Sequence, residues 1–244
     1  MSIPLEASLG AERPQRELPW VRIAAAIYLP MAAIGAAWIA WREGSGELAT
    51  RLWHGTAIAP PLAIGIGVGA GLAVVGAGRL ASGRWRAVQR LELSLARLLG
   101  PVPNQACILL ALLSGFGEEV LFRGALLPEV GLPLSAVIFG LLHWPMERDL
   151  IAWTPFAFAA GLLFGALYLW TGSIVAPAVA HAVINGINMA YLRRHWLPGG
   201  ELYKAHRAPR PGSEEADSVG DTSGLGYDSS VASSSTESSQ GRDE

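Results

Sequence analysis

Charged residues are scarce in this chain of 244 residues. They make up 16% of the sequence, hydrophobic residues make up 51%, and the mean hydropathy is +0.35. Between Leu150 and Leu192 the sequence contains no Asp, Glu, Lys or Arg. A water-soluble domain of this length needs more charge to cover its surface. The scarcity of charge therefore argues against a soluble domain and favours segments that lie in a lipid bilayer.

Cysteine is nearly absent as well, since Cys107 is the single one in the chain. One cysteine permits no internal disulfide, so folding does not depend on an oxidising compartment. The apolar run around Cys107 favours a packing role over that of a nucleophile. The sequence also lacks a basic patch interleaved with aromatic residues, and its net charge is −2. We therefore expect no nucleic-acid partner.

Long apolar runs dominate what is present. They predict an all-α fold, a polytopic membrane helical bundle with about six transmembrane helices in a lipid bilayer. The runs cover residues 20–41, 58–75, 107–127, 132–144, 153–170 and 174–192. In the second run, Gly65 and Gly69 are four residues apart, as are Gly67 and Gly71. This spacing is typical of helix faces that pack closely in membranes, and it does not fit a nucleotide-binding loop.

Arginines are concentrated beside two of these runs. The connector 79–97 holds five arginines against one glutamate, and Arg193 and Arg194 directly follow the sixth run. Loops rich in Lys and Arg stay on the cytoplasmic side of a membrane. We therefore expect an integral protein of the plasma membrane with both termini in the cytoplasm.

The chain divides into four parts by composition. Residues 1–19 are a polar N-terminal segment, and residues 20–103 hold two transmembrane helices and the basic cytoplasmic connector. Residues 104–196 hold the other four runs. Residues 197–244 are a tail rich in Ser, Asp and Glu, which we expect to be disordered because it cannot bury enough apolar surface.

Three ionisable residues interrupt the third run, in the stretch GFGEEVLFRG. A charge at the centre of a membrane helix costs about 2.5–3.5 kcal/mol on insertion scales, so these side chains must face protein or a wet cavity. Glu119 and Arg123 are four residues apart, in the favourable order for a salt bridge. Glu118 points about 100° away from Glu119 and has no cation of its own nearby, which suits a general base or acid.

Other polar side chains stand in the later runs. His143 follows Phe139 by four residues near the end of the fourth run, and Asn185 follows His181 by four residues in the sixth. A carboxylate and a histidine can bind and deprotonate a water, while a histidine and an asparagine can donate hydrogen bonds to an oxyanion. Together these groups suit peptide-bond hydrolysis without a covalent intermediate.

Two alternatives remain at this point. The same Glu and His side chains could hold a zinc ion that activates the water, although the sequence has no H-E-x-x-H motif and we favour no metal or other cofactor. Alternatively, the polar residues only join helices or bind a partner, as in a non-catalytic membrane scaffold or a bacteriocin-immunity protein.

The three motifs resemble those of the CPBP family, also called Abi, which contains CAAX proteases and bacteriocin-processing enzymes. They read E-E-V-L-F-R from Glu118 to Arg123, F-G-L-L-H from Phe139 to His143, and H-A-V-I-N from His181 to Asn185. Gly124, after the arginine, also matches the family. The resemblance covers about residues 104–192, which makes 104–196 a CPBP-like catalytic core.

The resemblance implies an intramembrane glutamic endopeptidase similar to the type II CAAX prenyl endopeptidase. It implies that Glu118 is the general base, that His143 helps to hold the water, and that His181 and Asn185 form the oxyanion hole. Glu119, Arg123 and Phe139 would shape the site. The substrates would be peptides or membrane proteins, with prenylated proteins as one class and bacteriocin-like peptides as another.

Overall fold

The structure is a computed structural model that describes residues 20–54, 57–144 and 150–207. Every regular element in these ranges is a helix, which confirms the predicted all-α membrane bundle. The α-helices are α1 (Trp20–Glu43), α2 (Ser45–Ala49), α3 (Pro60–Arg84), α4 (Arg86–Leu99), α5 (Asn104–Glu119), α6 (Leu127–Leu142), α7 (Trp153–Thr171), α8 (Val175–Leu192) and α9 (Glu201–Arg207). The other elements are two π-helices, Thr50–His54 and Val120–Leu126, and a 3₁₀-helix, Arg193–Trp196.

Five helical stretches in the described ranges are long and apolar enough to cross a membrane, whereas the sequence predicted about six. The difference arises at residues 104–142, where α5, the second π-helix and α6 follow one another without a loop. This stretch is not straight, because Gly131 has a φ of 77°.

The stretch folds back on itself at this glycine. The rings of Phe122 and Phe139 have their centroids 5.0 Å apart. In a straight helix, 17 residues would separate them by about 25 Å. Residues 132–142 therefore return alongside the π-helix, and the third and fourth predicted runs form two antiparallel legs. The returning leg is short, so it ends at His143 rather than crossing the whole bundle.

Helix α8 lies at the centre of the bundle, packed against α3, α5 and α7. Its contact with α3 depends on two glycines. A β-carbon on Gly67 would lie 2.5 Å from the carbonyl oxygen of Ala176, and one on Gly71 would lie 2.8 Å from Cγ1 of Val183. The prediction of glycine-mediated packing is therefore confirmed for this pair. It does not extend to Gly65 and Gly69, which have no such neighbour within 4 Å.

Helices α6 and α7 also approach each other through glycine. A β-carbon on Gly161 would lie 3.2 Å from the α-carbon of Ala136, and one on Gly140 would lie 3.0 Å from the β-carbon of Phe158. This close contact brings the returning leg against α7. The second π-helix and α6, α7 and α8 thereby surround one polar cluster in the interior of the bundle.

The first residues of the predicted tail, 197–244, include a short helix. Residues 201–207 form α9, and Leu202 is buried against α4 beside Ala96. The described residues therefore include the first eleven residues of the segment 197–244, where Leu202 packs in an apolar cluster. The rest of the tail, 208–244, and the N-terminal segment 1–19 lie outside the described residues.

Candidate active site

The centre of the polar cluster is a carboxylate shared by two cationic or potentially cationic groups. Arg123 Nη1 donates to Oε1 of Glu119 at 3.0 Å, and both side chains are fully buried. Nδ1 of His181 lies 2.9 Å from the same oxygen. Arg123 Nη2 donates to the carbonyl oxygen of Gly161 at 3.1 Å. The predicted salt bridge between Glu119 and Arg123 is confirmed, and it ties α5, α7 and α8 together.

Aromatic rings enclose the guanidinium of Arg123. Its Cζ lies 4.4 Å from the ring centroid of Phe139, 5.3 Å from that of Phe164 and 5.8 Å from that of Phe122. Phe164 also stacks on His181, with centroids 4.8 Å apart and 16° between the ring planes. Cations are attracted to aromatic faces, most strongly where water is excluded. The rings therefore help to keep this arginine charged in an interior position.

Glu118 takes no part in the hydrogen bonds to Glu119, and its carboxylate faces both histidines. Its Oε2 lies 3.9 Å from Nε2 of His143 and 4.0 Å from Nε2 of His181. The residue is 7% exposed. These separations are too long for direct hydrogen bonds, and Oε2 of Glu118 has no hydrogen-bond partner among the described residues. As the sequence predicted, Arg123 pairs with the neighbouring Glu119 and not with Glu118.

His143 is held in one orientation at the end of α6. Its Nδ1 lies 2.7 Å from the carbonyl oxygen of Phe139. A carbonyl can only accept, so Nδ1 carries the proton and Nε2 of the neutral ring is left with a lone pair. That Nε2 is the atom that faces Glu118. The ring packs between Phe139 and Trp153, with centroids at 4.6 and 5.6 Å.

Asn185 lies one helical turn from this group. Its Nδ2 donates to Oγ of Ser114 at 2.9 Å, and Ser114 Oγ donates to the carbonyl oxygen of Ala111 at 3.3 Å. Ser114 precedes Glu118 by four residues on α5, and Asn185 follows His181 by four residues on α8. The structure thus brings six of the seven predicted site residues into one cluster. The seventh, Asn185, lies on the adjoining turn of α8.

Three residues of the cluster were missed in the sequence. Ser114 could have been found, since it lies on the same helical face as Glu118, one turn earlier. Gly161 accepts from Arg123 through its backbone carbonyl, a role that leaves no mark in the sequence. Phe164 is one of many apolar residues in its run, and only the packing of α7 against α8 selects it.

The donor atoms around Glu118 do not form a three-ligand metal site. Among the described residues, no group of three or more His, Cys, Asp or Glu side chains could hold a metal ion. Two ligand atoms of a tetrahedral zinc ion lie about 3.3 Å apart. The distances of 3.9 and 4.0 Å from Glu118 to the two histidines are wider than that. The prediction of a metal-free site, with zinc as the alternative, stays a prediction.

Part of the chain is similar in sequence to a known protein family. Residues 102–187 match the family described as type II CAAX prenyl endopeptidase Rce1-like. The resemblance to CAAX proteases is confirmed for this segment. It holds all three motifs and therefore the whole polar cluster. The family match and the apolar helices together indicate an integral membrane protein, in which residues 102–187 are similar to CAAX proteases.

One relative is a protein of Bacillus subtilis (strain 168), the uncharacterized protein YpbD. The two chains are 39% identical over 88 residues. That match covers 35% of this chain and 45% of the Bacillus protein, so the similarity spans less than half the length of either. No solved structure matches this chain.

Proposed function

We propose that this protein is an intramembrane endopeptidase that hydrolyses peptide bonds by means of a water activated between Glu118 and His143. The observation that carries the proposal is the buried carboxylate of Glu118, whose Oε2 lies 3.9 Å from Nε2 of His143. A water placed between them would donate a hydrogen bond to each, because the carboxylate oxygen and the lone pair of Nε2 both accept. The similarity of residues 102–187 to type II CAAX prenyl endopeptidases supports the same reaction class.

The first step is attack of the water oxygen on the scissile carbonyl carbon. Glu118 takes one proton of the water as the new C–O bond forms, and Nε2 of His143 accepts a hydrogen bond from the other. The carbonyl oxygen becomes an oxyanion. In the second step Glu118 returns its proton to the amide nitrogen, the C–N bond breaks, and the products are a carboxylic acid and an amine.

The oxyanion needs hydrogen-bond donors, and His181 and Asn185 are our candidates. Because Nδ1 of His181 donates to Glu119, its Nε2 donates only when the ring carries both protons. The charges of the cluster then balance, with Glu118 and Glu119 against Arg123 and His181. Asn185 has a second N–H besides the one given to Ser114 Oγ, and we assign that N–H to the oxyanion.

Glu119, Arg123 and Phe139 act as supporting residues in this proposal. Glu119 orients His181 through its hydrogen bond to Nδ1. Arg123 fixes Glu119, and the carbonyl of Phe139 fixes the proton of His143 on Nδ1. None of the three needs to touch the substrate. We expect no resident metal or other cofactor, with zinc as the alternative that the chelator test below addresses.

The proposed substrates are peptides or membrane proteins whose cleavage site reaches this interior cluster from the bilayer. A prenylated C-terminal peptide is the first class to test, given the family matched by residues 102–187. We also propose the plasma membrane as the location, with both termini in the cytoplasm. The support for this orientation is the excess of arginine in the connector between α3 and α5.

The test uses the full chain reconstituted in lipid nanodiscs and a farnesylated CAAX peptide with a fluorophore and a quencher on either side of the scissile bond. The native chain should cleave the peptide with or without a chelator, and Glu118→Gln should not. Glu129→Gln makes the same acid-to-amide change outside the cluster and should leave cleavage intact. Cleavage by Glu118→Gln at the native rate contradicts the assignment of the base, and loss with chelator that zinc restores supports a metalloprotease.

A further inference from the structure

Helix α4 lies across one end of the bundle and is fixed there. It joins the end of α3 to the start of α5, and its Ala96 packs against Leu192 at the end of α8. The indole Nε1 of Trp196 donates to the carbonyl oxygen of Ala96 at 2.8 Å. Helix α4 is therefore a firmly held part of the fold rather than a loose connection.

Three arginines form a line on the outer side of α4. Arg86, Arg90 and Arg97 are all exposed. At 100° per residue they fall within about 40° of arc, and over eleven residues they extend about 16 Å along the helix. We call these three residues the arginine stripe. Arg84, also exposed, precedes it at the end of α3.

The other described residues do not neutralise the arginine stripe. None of the ion pairs between described residues includes any of its members. The acidic residue of α4, Glu92, is engaged elsewhere, with Arg79 at 3.2 Å and Arg194 at 4.0 Å. These two guanidinium groups also lie 3.2 and 3.4 Å from the ring centroid of Tyr191.

The opposite end of the bundle has no such surplus among its described arginines. Arg42 pairs with Glu43 and Glu129, and Arg51 pairs with Glu43 and donates to the hydroxyl of Tyr168. Both arginines are committed to contacts within the fold. The uncompensated cations therefore distinguish the end that carries α4.

The depth of α4 in the membrane follows from the helices on either side of it. The outward surface of α3 is apolar as far as Leu80, which is 79% exposed. Trp85 comes next, 59% exposed, between Arg84 and Arg86, an arrangement typical of the membrane–water boundary. After α4, helix α5 begins at Asn104 and exposes apolar side chains from Ile108 onward. Both ends of α4 thus meet the same membrane surface, which places the helix in the interface.

We propose that the arginine stripe of α4 binds the phosphodiester headgroups of anionic phospholipids. A guanidinium presents paired N–H donors that match two phosphate oxygens, and anionic lipids supply the negative charge that the described residues do not place beside the stripe. The exposed Trp85 and Leu98 beside the stripe reach the acyl boundary while the arginines extend to the headgroups. This inference is independent of the proposed peptidase activity.

The expected strength follows from the number of cations. Each arginine near an anionic membrane surface strengthens binding about fivefold, so removal of three should weaken it on the order of 100-fold. A change from arginine to lysine keeps the charge and loses the paired donors. The lysine variant should therefore retain most of the preference for anionic lipid.

Native mass spectrometry of the full chain in detergent tests the proposal, with equal amounts of phosphatidylglycerol and phosphatidylcholine as probes. The native chain should retain phosphatidylglycerol preferentially. The triple variant Arg86→Gln, Arg90→Gln, Arg97→Gln should lose that preference, and the triple lysine variant at the same positions should keep most of it. An unchanged preference in the glutamine variant overturns the proposal.

Two further measurements cover a variant that fails to fold and a site for free anions. If the triple glutamine variant does not fold, each single glutamine variant should still show its own loss of about fivefold, and no loss in any of them refutes the stripe. Millimolar inorganic phosphate should not displace the lipid, because the acyl chains also contribute. Full displacement by phosphate would mean a site for free anions instead of a lipid site.

Discussion

Glu119 offers the sharpest test of how the cluster is held together. In Glu119→Gln, Arg123 and His181 lose the carboxylate that both contact, while Arg123 keeps the carbonyl of Gly161 and its aromatic neighbours. Breaking one partner of a buried ion pair costs about 3–5 kcal/mol. The glutamine still offers an acceptor oxygen, so we expect a loss near the lower end, about 3 kcal/mol.

This loss can be followed by thermal unfolding in detergent. For a protein of this size, 1 kcal/mol corresponds to about 2–4 °C in Tm, so Glu119→Gln should lower Tm by about 6–12 °C. The matched control is Glu129→Gln, whose partner Arg42 also contacts Glu43 and backbone carbonyls. The side chain of Glu129 is 40% exposed, and such exposed pairs contribute at most about 1 kcal/mol. The control should therefore shift Tm by no more than about 4 °C.

Equal shifts in the two variants would refute the reasoning, because they would mean that the buried pair contributes no more than an exposed one. A second variant separates charge from packing. In Glu119→Gln combined with Arg123→Met, the guanidinium that would be left without its carboxylate is removed as well, so part of the lost stability should return. Additive losses in this double variant would show that the two side chains are not coupled.

Three other outcomes follow from the packing and the hydrogen bonds. Gly67→Ala should lower Tm, since overpacking costs about 1–3 kcal/mol, whereas Gly69→Ala should leave Tm unchanged or raise it; the reverse order would contradict the packing of α3 on α8. Ser114→Ala removes the acceptor that orients Asn185, so it should lower kcat on the farnesylated peptide about tenfold with little change in KM. Ser114→Thr keeps a hydroxyl and should restore kcat. An unchanged kcat in Ser114→Ala argues against Asn185 as a donor. Arg42→Gln should speed amide hydrogen exchange in residues 120–127 and not in α8, and uniform exchange would contradict its local role.

The reason for the last expectation lies in Pro128. Its nitrogen carries no hydrogen, so the carbonyl of Gly124 has no donor four residues ahead. Arg42 supplies a donor to that oxygen, from Nη2 at 3.3 Å, and its Nη1 also donates to the carbonyl oxygen of Ala125 at 2.9 Å. The π-helix that carries Arg123 is thus held from α1.

Local contacts were predictable from the sequence. The pairing of Glu119 with Arg123 depends only on a spacing of four residues, and so does the position of His143 one turn after Phe139. The apolar runs likewise marked where the membrane helices lie, since their length and hydropathy depend on composition alone. These predictions needed no knowledge of how the helices pack.

Long-range features could not be predicted in the same way. The fold-back at Gly131 joins two runs that hydropathy shows as separate spans, and the π-helix between Glu119 and α6 has no signal in apolar periodicity. The choice of Gly67 over Gly65 as a packing residue depends on the rotation of α3 against α8. Tertiary packing sets such rotations, and the spacing of residues along one helix does not predict them.

The central claim is that Glu118 serves as the base for peptide-bond hydrolysis, and terminal-peptide proteomics tests it most directly. Membranes from cells that express the native chain should be compared with membranes that contain Glu118→Gln at matched protein levels. The account predicts new protein termini with the native chain that the variant does not produce, and these termini would also identify the substrate. Identical sets of termini at good coverage would contradict proteolysis and point to a binding role for the glutamates.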